Sequence, residues 1–309
     1  MSESETPKDG LSPKSQRAER SVTTWVLGGL GNQLFQYAAG LAVARKANAK
    51  LQLDLTGFDG YERDFALSKF DVQAERSSPP RFAHGLSRRI LEFRRMPLLR
   101  KILGPSENCV VREIGQAWQE LEFDNWKRLY LRGYWQSYRY FEGIEEELRR
   151  IFCPERFIDA SIQQLHSEIA GSNSIAVHIR RGDYVSNSGA SKTHGIIGKS
   201  WYESAASLIK QVSPQCRFEV FSDDPTTGRA IAGDWPNTRI HPSRPAEQDL
   251  ALISACRHKI IANSTFSWWG AWLSNRLDGL VIAPRQWFTR EKLMKTYVED
   301  LFPQGWIRL

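Results

Sequence analysis

The chain has 309 residues, 41% hydrophobic and 25% charged, with a formal net charge of +7. That balance fits a soluble globular enzyme of two ordinary domains, and no stretch is long and apolar enough to be a membrane span. The basic excess points to an acidic partner: nucleic acid, an anionic membrane face or a phosphorylated small molecule.

Residues 1–21 are polar and mixed in charge and lack the apolar stretch of a signal peptide, so they read as a disordered tail on a cytoplasmic protein. Residues 23–27 are β-branched and apolar and predict a buried strand. A tight loop, Gly28-Gly29-Leu30-Gly31-Asn32-Gln33, follows it. Leu34, Tyr37, Ala38, Leu41 and Ala42 then fall on one face of a helix over residues 34–48, and residues 50–55 give the next strand. This unit opens a parallel α/β domain. The pattern is weak over residues 59–128. A strand is predicted at 129–133 and a helix at 145–152, ended by Pro154. A boundary near 153–160 divides an N-terminal domain, 22–155, from a C-terminal one, 156–309.

In the second half strands are predicted at 174–179, 217–222, 238–241, 259–262 and 280–283. Helices are predicted at 201–212, 246–257, 265–275 and 290–301. The alternation predicts a second doubly wound domain. The cysteines, Cys109, Cys153, Cys216 and Cys256, lie far apart without zinc spacing, which fits scattered thiols in a reducing compartment.

Ligands of open parallel sheets bind beyond the carboxyl ends of the strands. The strand at 174–179 leads into His178-Ile179-Arg180-Arg181-Gly182-Asp183-Tyr184. Paired guanidinium forks match phosphate oxygens; an arginine–aspartate pair could equally brace a loop. Asp223-Asp224-Pro225 follows the strand at 217–222. One of these carboxylates can cap a helix while the other accepts from the adjacent donors of guanine, in either order. Asn263-Ser264-Thr265-Phe266-Ser267 opens a helix, where hydroxyls and free N–H groups make an anion site or serve as caps. The indoles of Trp268, Trp269 and Trp272 read mostly as core. Together these strand ends suit a nucleoside diphosphate.

Four segments, GGLGNQLFQYAAGLAVA, HIRRGDYV, FSDDP and IIANSTFSWWGAWL, strongly resemble the bacterial α-1,2-fucosyltransferase family and occur in that family's order. The resemblance implies an α/β fold of GT-B type, with two Rossmann-like doubly wound domains facing a central cleft. It implies GDP-fucose as donor, inversion at the fucose anomeric carbon, no cofactor and no essential metal. It further implies a galactoside 2-α-L-fucosyltransferase acting on a galactose-containing glycan. Arg180 and Arg181 would contact the diphosphate, His178 the nucleoside, Asp224 the guanine, and Thr265 to Ser267 the phosphates. The general base is left open among Asp183, His194 and a group of the Gly29–Gln33 loop. In such an architecture Gly31, Asn32 and Gln33 face the cleft, where the amides could donate to phosphate or sugar; otherwise the loop is only a tight turn.

Two rival readings fit the residues less well. Gly29-x-Gly31-x-x-Leu34 with Asp54 nearly matches a nicotinamide dinucleotide fingerprint, but Leu34 stands where Gly or Ala is wanted. A nucleic-acid module is disfavoured because the tryptophans sit in an apolar helix rather than between surface cations. Much of the basic excess lies between Leu86 and Leu103, where Arg88, Arg89, Arg94 and Arg95 alternate with apolar residues. That segment could touch an anionic membrane face, which would suit a lipid-linked acceptor, or could cover its own domain.

Overall fold

The structure, a computed structural model, describes residues 20–83, 106–115, 117–121, 126–181, 195–276, 278–289 and 298–309. The expected tail up to residue 19, the basic segment 86–103, Asp183 and His194 lie outside the described residues. Ser21, expected in the tail, is already in strand register with Lys50 and Arg128.

The N-terminal sheet contains β1 (Ser21–Trp25), β2 (Lys50–Asp54), β3 (Glu75–Ser77), β4 (Asn108–Arg112) and β5 (Arg128–Arg132). Its order is β3-β2-β1-β5-β4, every pairing parallel. The C-terminal sheet contains β6 (Ser174–Ile179), β7 (Arg217–Ser222), β8 (Thr238–Ile240), β9 (His258–Ile260), β10 (Val281–Ala283) and β11 (Ile307–Arg308). Its order is β11-β10-β9-β6-β7-β8, again parallel throughout. A parallel strand covered on both faces needs a continuous apolar run, and all of β6 is buried.

The helices are α1 (Leu30–Ala47), α2 (Glu145–Ile151), α3 (Gln163–Ala170), α4 (Lys199–Val212), α5 (Pro225–Ala232), α6 (Ala246–Ala255) and α7 (Thr265–Trp272). α4 buries Tyr202, Ala205, Ala206 and Ile209, a single face at helical spacing. In each sheet the strand order reverses at one strand, β1 and β6 respectively. Loops leaving those strands therefore border the crevice in which such folds hold ligands.

α1 begins at Leu30, not at residue 34. Gly29 is the extended cap, so Gly31, Asn32 and Gln33 form the first helical turn rather than a loop. Its small and amide residues give no apolar period; contacts with the other half of the chain hold the turn. The short strands β3, β4 and β11 were not predicted. Of the last expected helix, the described part is a single 3-10 turn, Glu299–Leu301.

One core runs through both halves, because α7 packs on α1. Trp268 and Trp269 are fully buried, with Phe35 centred 4.6 and 5.0 Å from their rings. Phe141 stacks on Trp269 at 5.5 Å, and the Trp269 indole N–H donates to the Gly31 carbonyl at 3.0 Å. A buried indole removes roughly 150–250 Å² from water, an upper bound of about 4–6 kcal/mol at ~25 cal/mol/Å². The two sheets are therefore joined by apolar packing, and the cleft between them is pre-shaped.

Candidate active site

A cleft of about 450 Å³ lies between the carboxyl ends of the two sheets. One wall comes from the C-terminal sheet, with His178 and Arg180 after β6, Asp223 after β7 and Ser264 to Phe266 after β9. Gly28 to Asn32 and the loops carrying Tyr61, Arg63, Tyr134 and Gln136 form the other wall.

Of the two expected guanidinium forks, Arg180 reaches the cleft. Its Nη1 lies 2.9 Å from Asp223 Oδ2, and Asp223 Oδ1 accepts the Arg181 backbone N–H at 2.8 Å. The Arg181 guanidinium turns away and donates to the Ile197 carbonyl at 3.1 Å, bracing the chain that leads into α4. Of the two tasks foreseen for the aspartates the structure displays the capping one, and it falls to Asp224 rather than Asp223. Asp224 is the extended cap of α5: it accepts from Thr226 N–H at 3.0 Å and from the Thr227 hydroxyl at 2.6 Å. Those bonds, the Thr227 one foremost, hold its carboxyl below the usual range. Asp223 is the member that lines the cleft.

His178 is 4% exposed, and its Nδ1 has no hydrogen-bond partner. Burial, and then the charge of Arg180, push its pKa down to about 3, so the ring is neutral. Phe266 lies 5.4 Å from it. Ser264 caps α7 in an extended conformation with no side-chain cap bond. The first-turn N–H groups of α7 lack intrahelical partners, so this helix end carries partial positive charge toward the cleft. Ser267 does not share that position: it is fully buried, and its hydroxyl donates to the Ser264 carbonyl at 3.2 Å.

On the opposite wall, Asn32 joins the two halves. Its Oδ1 accepts from the Thr265 hydroxyl at 2.9 Å and from Gln136 Nε2 at 3.0 Å. A Cβ on Gly31 would stand 2.4 Å from the Thr265 carbonyl carbon, so its close approach is to that backbone. Gln33, expected to face a ligand, is fully buried instead. Its amide donates to the carbonyls of Gly28 and Asp64 at 2.8 and 2.9 Å and accepts from Ala66 and Leu67 N–H at 2.9 and 3.3 Å. All four of its hydrogen-bonding positions are thereby filled. Asp54, the acid of the dinucleotide reading, is 1% exposed and accepts from the Tyr130 and Thr56 hydroxyls at 2.6 and 2.7 Å.

Several cleft residues escaped sequence reasoning. Arg244 and Asp249 line it beyond β8, paired at 3.9 Å. The available signal was an acid immediately before the apolar run Leu250 to Ile253, and so near the buried face of α6. Burial pushes the Asp249 carboxyl up to about 7 against the pull of Arg244. His241, bonded to buried Glu219 at 2.7 Å and stacked on Phe221, fixes the start of the loop that presents Arg244. On the other wall, Glu113 accepts the Tyr134 N–H at 2.7 Å and holds a turn in which Trp135 has φ +55. Burial raises its carboxyl to about 7, while the N–H groups of Trp135, Tyr134 and Gln136 oppose the rise.

Among the described residues no three His, Cys, Asp or Glu side chains gather as a metal site, and no helix is long and apolar enough to cross a membrane. The four cysteines are free thiols.

Two parallel Rossmann-like sheets facing one cleft, with cationic groups on the C-terminal rim, define an α/β protein of GT-B type. Residues 112–309 match the family described as Glycosyl transferase family 11, and the chain belongs to that family. The Escherichia coli protein described as alpha-1,2-colitosyltransferase is 36% identical over 298 residues, covering 93% of this chain and 98% of that one. The Escherichia coli O-antigen biosynthesis glycosyltransferase WbnK is 31% identical, with 91% and 98% covered. A galactoside 2-alpha-L-fucosyltransferase of Caenorhabditis elegans is 28% identical over 189 residues, 57% of this chain and 51% of that protein. The resemblance drawn from the motifs is thus to the family in which the chain falls.

Proposed function

We propose that this glycosyltransferase moves L-fucose from GDP-fucose to the 2-hydroxyl of a galactose-type residue on a glycan, with inversion at the anomeric carbon. The observation that carries the reading is the meeting of Arg180, Ser264, Thr265 and the start of α7 opposite Asn32 in one cleft. That set is complementary to a diphosphate leaving group on one side and a sugar hydroxyl on the other. The donor and linkage rest on the names of the relatives. Colitose is fucose without its 3-hydroxyl, and the 36% identity to a colitosyltransferase favours GDP-colitose as a second reading.

The reaction is a direct displacement through an oxocarbenium-like transition state. Negative charge grows on the β-phosphate as the bond to fucose breaks. Arg180 and the N–H groups of α7 stabilise that charge in place before the reaction begins. Thr265 hydrogen-bonds Asn32 in the free protein. When its hydroxyl turns to phosphate, Asn32 Oδ1 is released to accept from the attacking hydroxyl. An amide oxygen orients that hydroxyl without removing its proton. Asp183 and His194 are the candidate bases outside the described residues.

Cationic side chains take the place of a metal in this reading, so EDTA leaves turnover unchanged. The acceptor is lipid-linked at the cytoplasmic membrane face, with residues 86–103 as the contact; reversing the charge of Arg88, Arg89, Arg94 and Arg95 should abolish liposome binding. The deciding experiment supplies GDP-fucose and GDP-colitose in parallel with galactose-terminated glycans and reads the linkage by NMR. An α-1,2 product from GDP-fucose supports the proposal, one from GDP-colitose alone supports the second reading, and release of neither GDP nor product rules out both.

A further inference from the structure

Gln136 stands on the N-terminal wall of the cleft, just beyond β5, and the displacement chemistry gives it no task. The residue is 5% exposed. Its Nε2 donates to Asn32 Oδ1 at 3.0 Å, so the carbonyl end of the same amide points elsewhere. That oxygen, Oε1, is buried and has no hydrogen-bond partner among the described residues. A buried amide oxygen without a donor is costly, and a ligand hydroxyl in the cleft removes that cost.

The turn that carries Gln136 holds it still. Trp135 is fully buried at φ +55, a left-handed conformation that a bulky residue keeps only when its surroundings enforce it. Three hydrogen bonds do so. Glu113 accepts the Tyr134 N–H at 2.7 Å, Gln36 Nε2 donates to the Gly133 carbonyl at 3.0 Å, and the Ser137 hydroxyl donates to the Asp300 carbonyl at 2.8 Å. The orphan oxygen is therefore fixed in place before any ligand arrives.

Asn32 Oδ1 has two lone pairs, filled by the Thr265 hydroxyl and by Gln136. When Thr265 turns to phosphate, one is freed for the attacking hydroxyl, and Gln136 keeps the Asn32 amide aimed. Amide geometry puts Gln136 Oε1 within about 5.3 Å of that same oxygen, a span that hydroxyls on neighbouring ring carbons can bridge. On a galactoside the 2-hydroxyl is flanked by C1 and C3. The oxygen on C1 is glycosidic and has no proton to donate. We infer that Gln136 Oε1 accepts from the 3-hydroxyl of the acceptor galactose while Asn32 accepts from its 2-hydroxyl. Gln136 is then a specificity-determining residue that demands a free 2,3-diol and rejects galactose substituted at O3. The inference rests on the reading of transfer to a galactose 2-hydroxyl given above.

The test is steady-state kinetics of wild type, Gln136→Leu and Gln136→Met, with GDP-fucose and GDP-colitose as donors and lactose or N-acetyllactosamine as acceptor. Each acceptor is compared with its 3-deoxygalactose and 6-deoxygalactose analogues. Wild type loses about 5- to 150-fold in kcat/KM on the 3-deoxy analogue, the span for a buried polar group left without its partner, and much less on the 6-deoxy one. Both variants are slower on the parent sugar, and their ratio of parent to 3-deoxy analogue falls toward one. That ratio is taken within a single variant, so a partly unfolded preparation does not change it. If wild type uses the 3-deoxy analogue as well as the parent, or if either variant discriminates as strongly as wild type, this inference is wrong and the transfer reading stands. If no acceptor receives sugar from either donor, both are wrong.

Discussion

The two walls of the cleft are built from the same unit, a strand, a short turn and the start of a helix, yet they differ in what that helix start meets. On the C-terminal wall the first turn of α7 opens into the cleft beside Arg180 and carries hydroxyls with spare valence. On the N-terminal wall the first turn of α1 is spent on packing: Gly31 lies against the Thr265–Phe266 backbone, and Gln33 fills its amide with local carbonyls and N–H groups. A glycine-rich turn after a strand is therefore no phosphate site by itself. What packs on the turn decides.

The sharpest way to break this comparison is at the arginines. Arg180→Ala removes a cleft donor from the developing charge and should lower kcat about 10²- to 10³-fold. Arg181→Ala removes a brace on the carbonyl of Ile197 and should cost much less in kcat. Equal losses in steady-state assays of the two variants would mean that both forks reach the donor.

Gly31→Ala tests the packing side. The added methyl would meet the Thr265 backbone at 2.4 Å, and backbone cannot turn aside as a side chain can. Overpacking of this kind costs about 1–3 kcal/mol. Thermal unfolding should show a lower Tm together with reduced turnover; an unchanged Tm would contradict the inter-domain contact.

Asp224→Ala should lose about 0.5–2 kcal/mol of stability as a removed helix cap, with GDP affinity retained. Asp223→Ala should do the reverse, disturbing Arg180 with less effect on Tm. Paired denaturation and GDP titrations of the two variants check this division, and a loss of GDP affinity confined to Asp224→Ala would reverse it.

A pH-dependent effect is expected at Glu113, whose folded carboxyl is raised from 4.5 to about 7 by burial. Between those values the folded state holds a proton that the unfolded state has released, so stability falls as pH rises through that window and levels off above it. Glu113→Gln removes this contribution, and its Tm should decline less than that of wild type between pH 4.5 and 7. Parallel Tm–pH curves would count against the buried carboxyl.

Legibility from sequence followed the range of the forces involved. β6 and β7 were read at their observed limits: β6 carries the apolar run of a strand covered on both faces, and β7 is rich in aromatic and β-branched residues despite the buried Glu219. The start of α7 was equally plain, since Asn263 and Ser264 precede an apolar helix. The start of α1 was misplaced because its first turn is held by partners more than two hundred residues away, through Trp269 and Thr265. Asp223 and Asp224 could not be told apart, since both precede Pro225 and either can cap. Arg244 and Asp249 follow no period or spacing; their pairing exists only once α6 closes over the cleft rim.

The central claim is that Arg180 and the start of α7 hold a departing nucleoside diphosphate. A crystal structure with GDP tests it directly. The account predicts the β-phosphate within hydrogen-bond distance of the Arg180 guanidinium and of Ser264 or Thr265. A nucleotide bound elsewhere, with Arg180 still closed on Asp223, would contradict it.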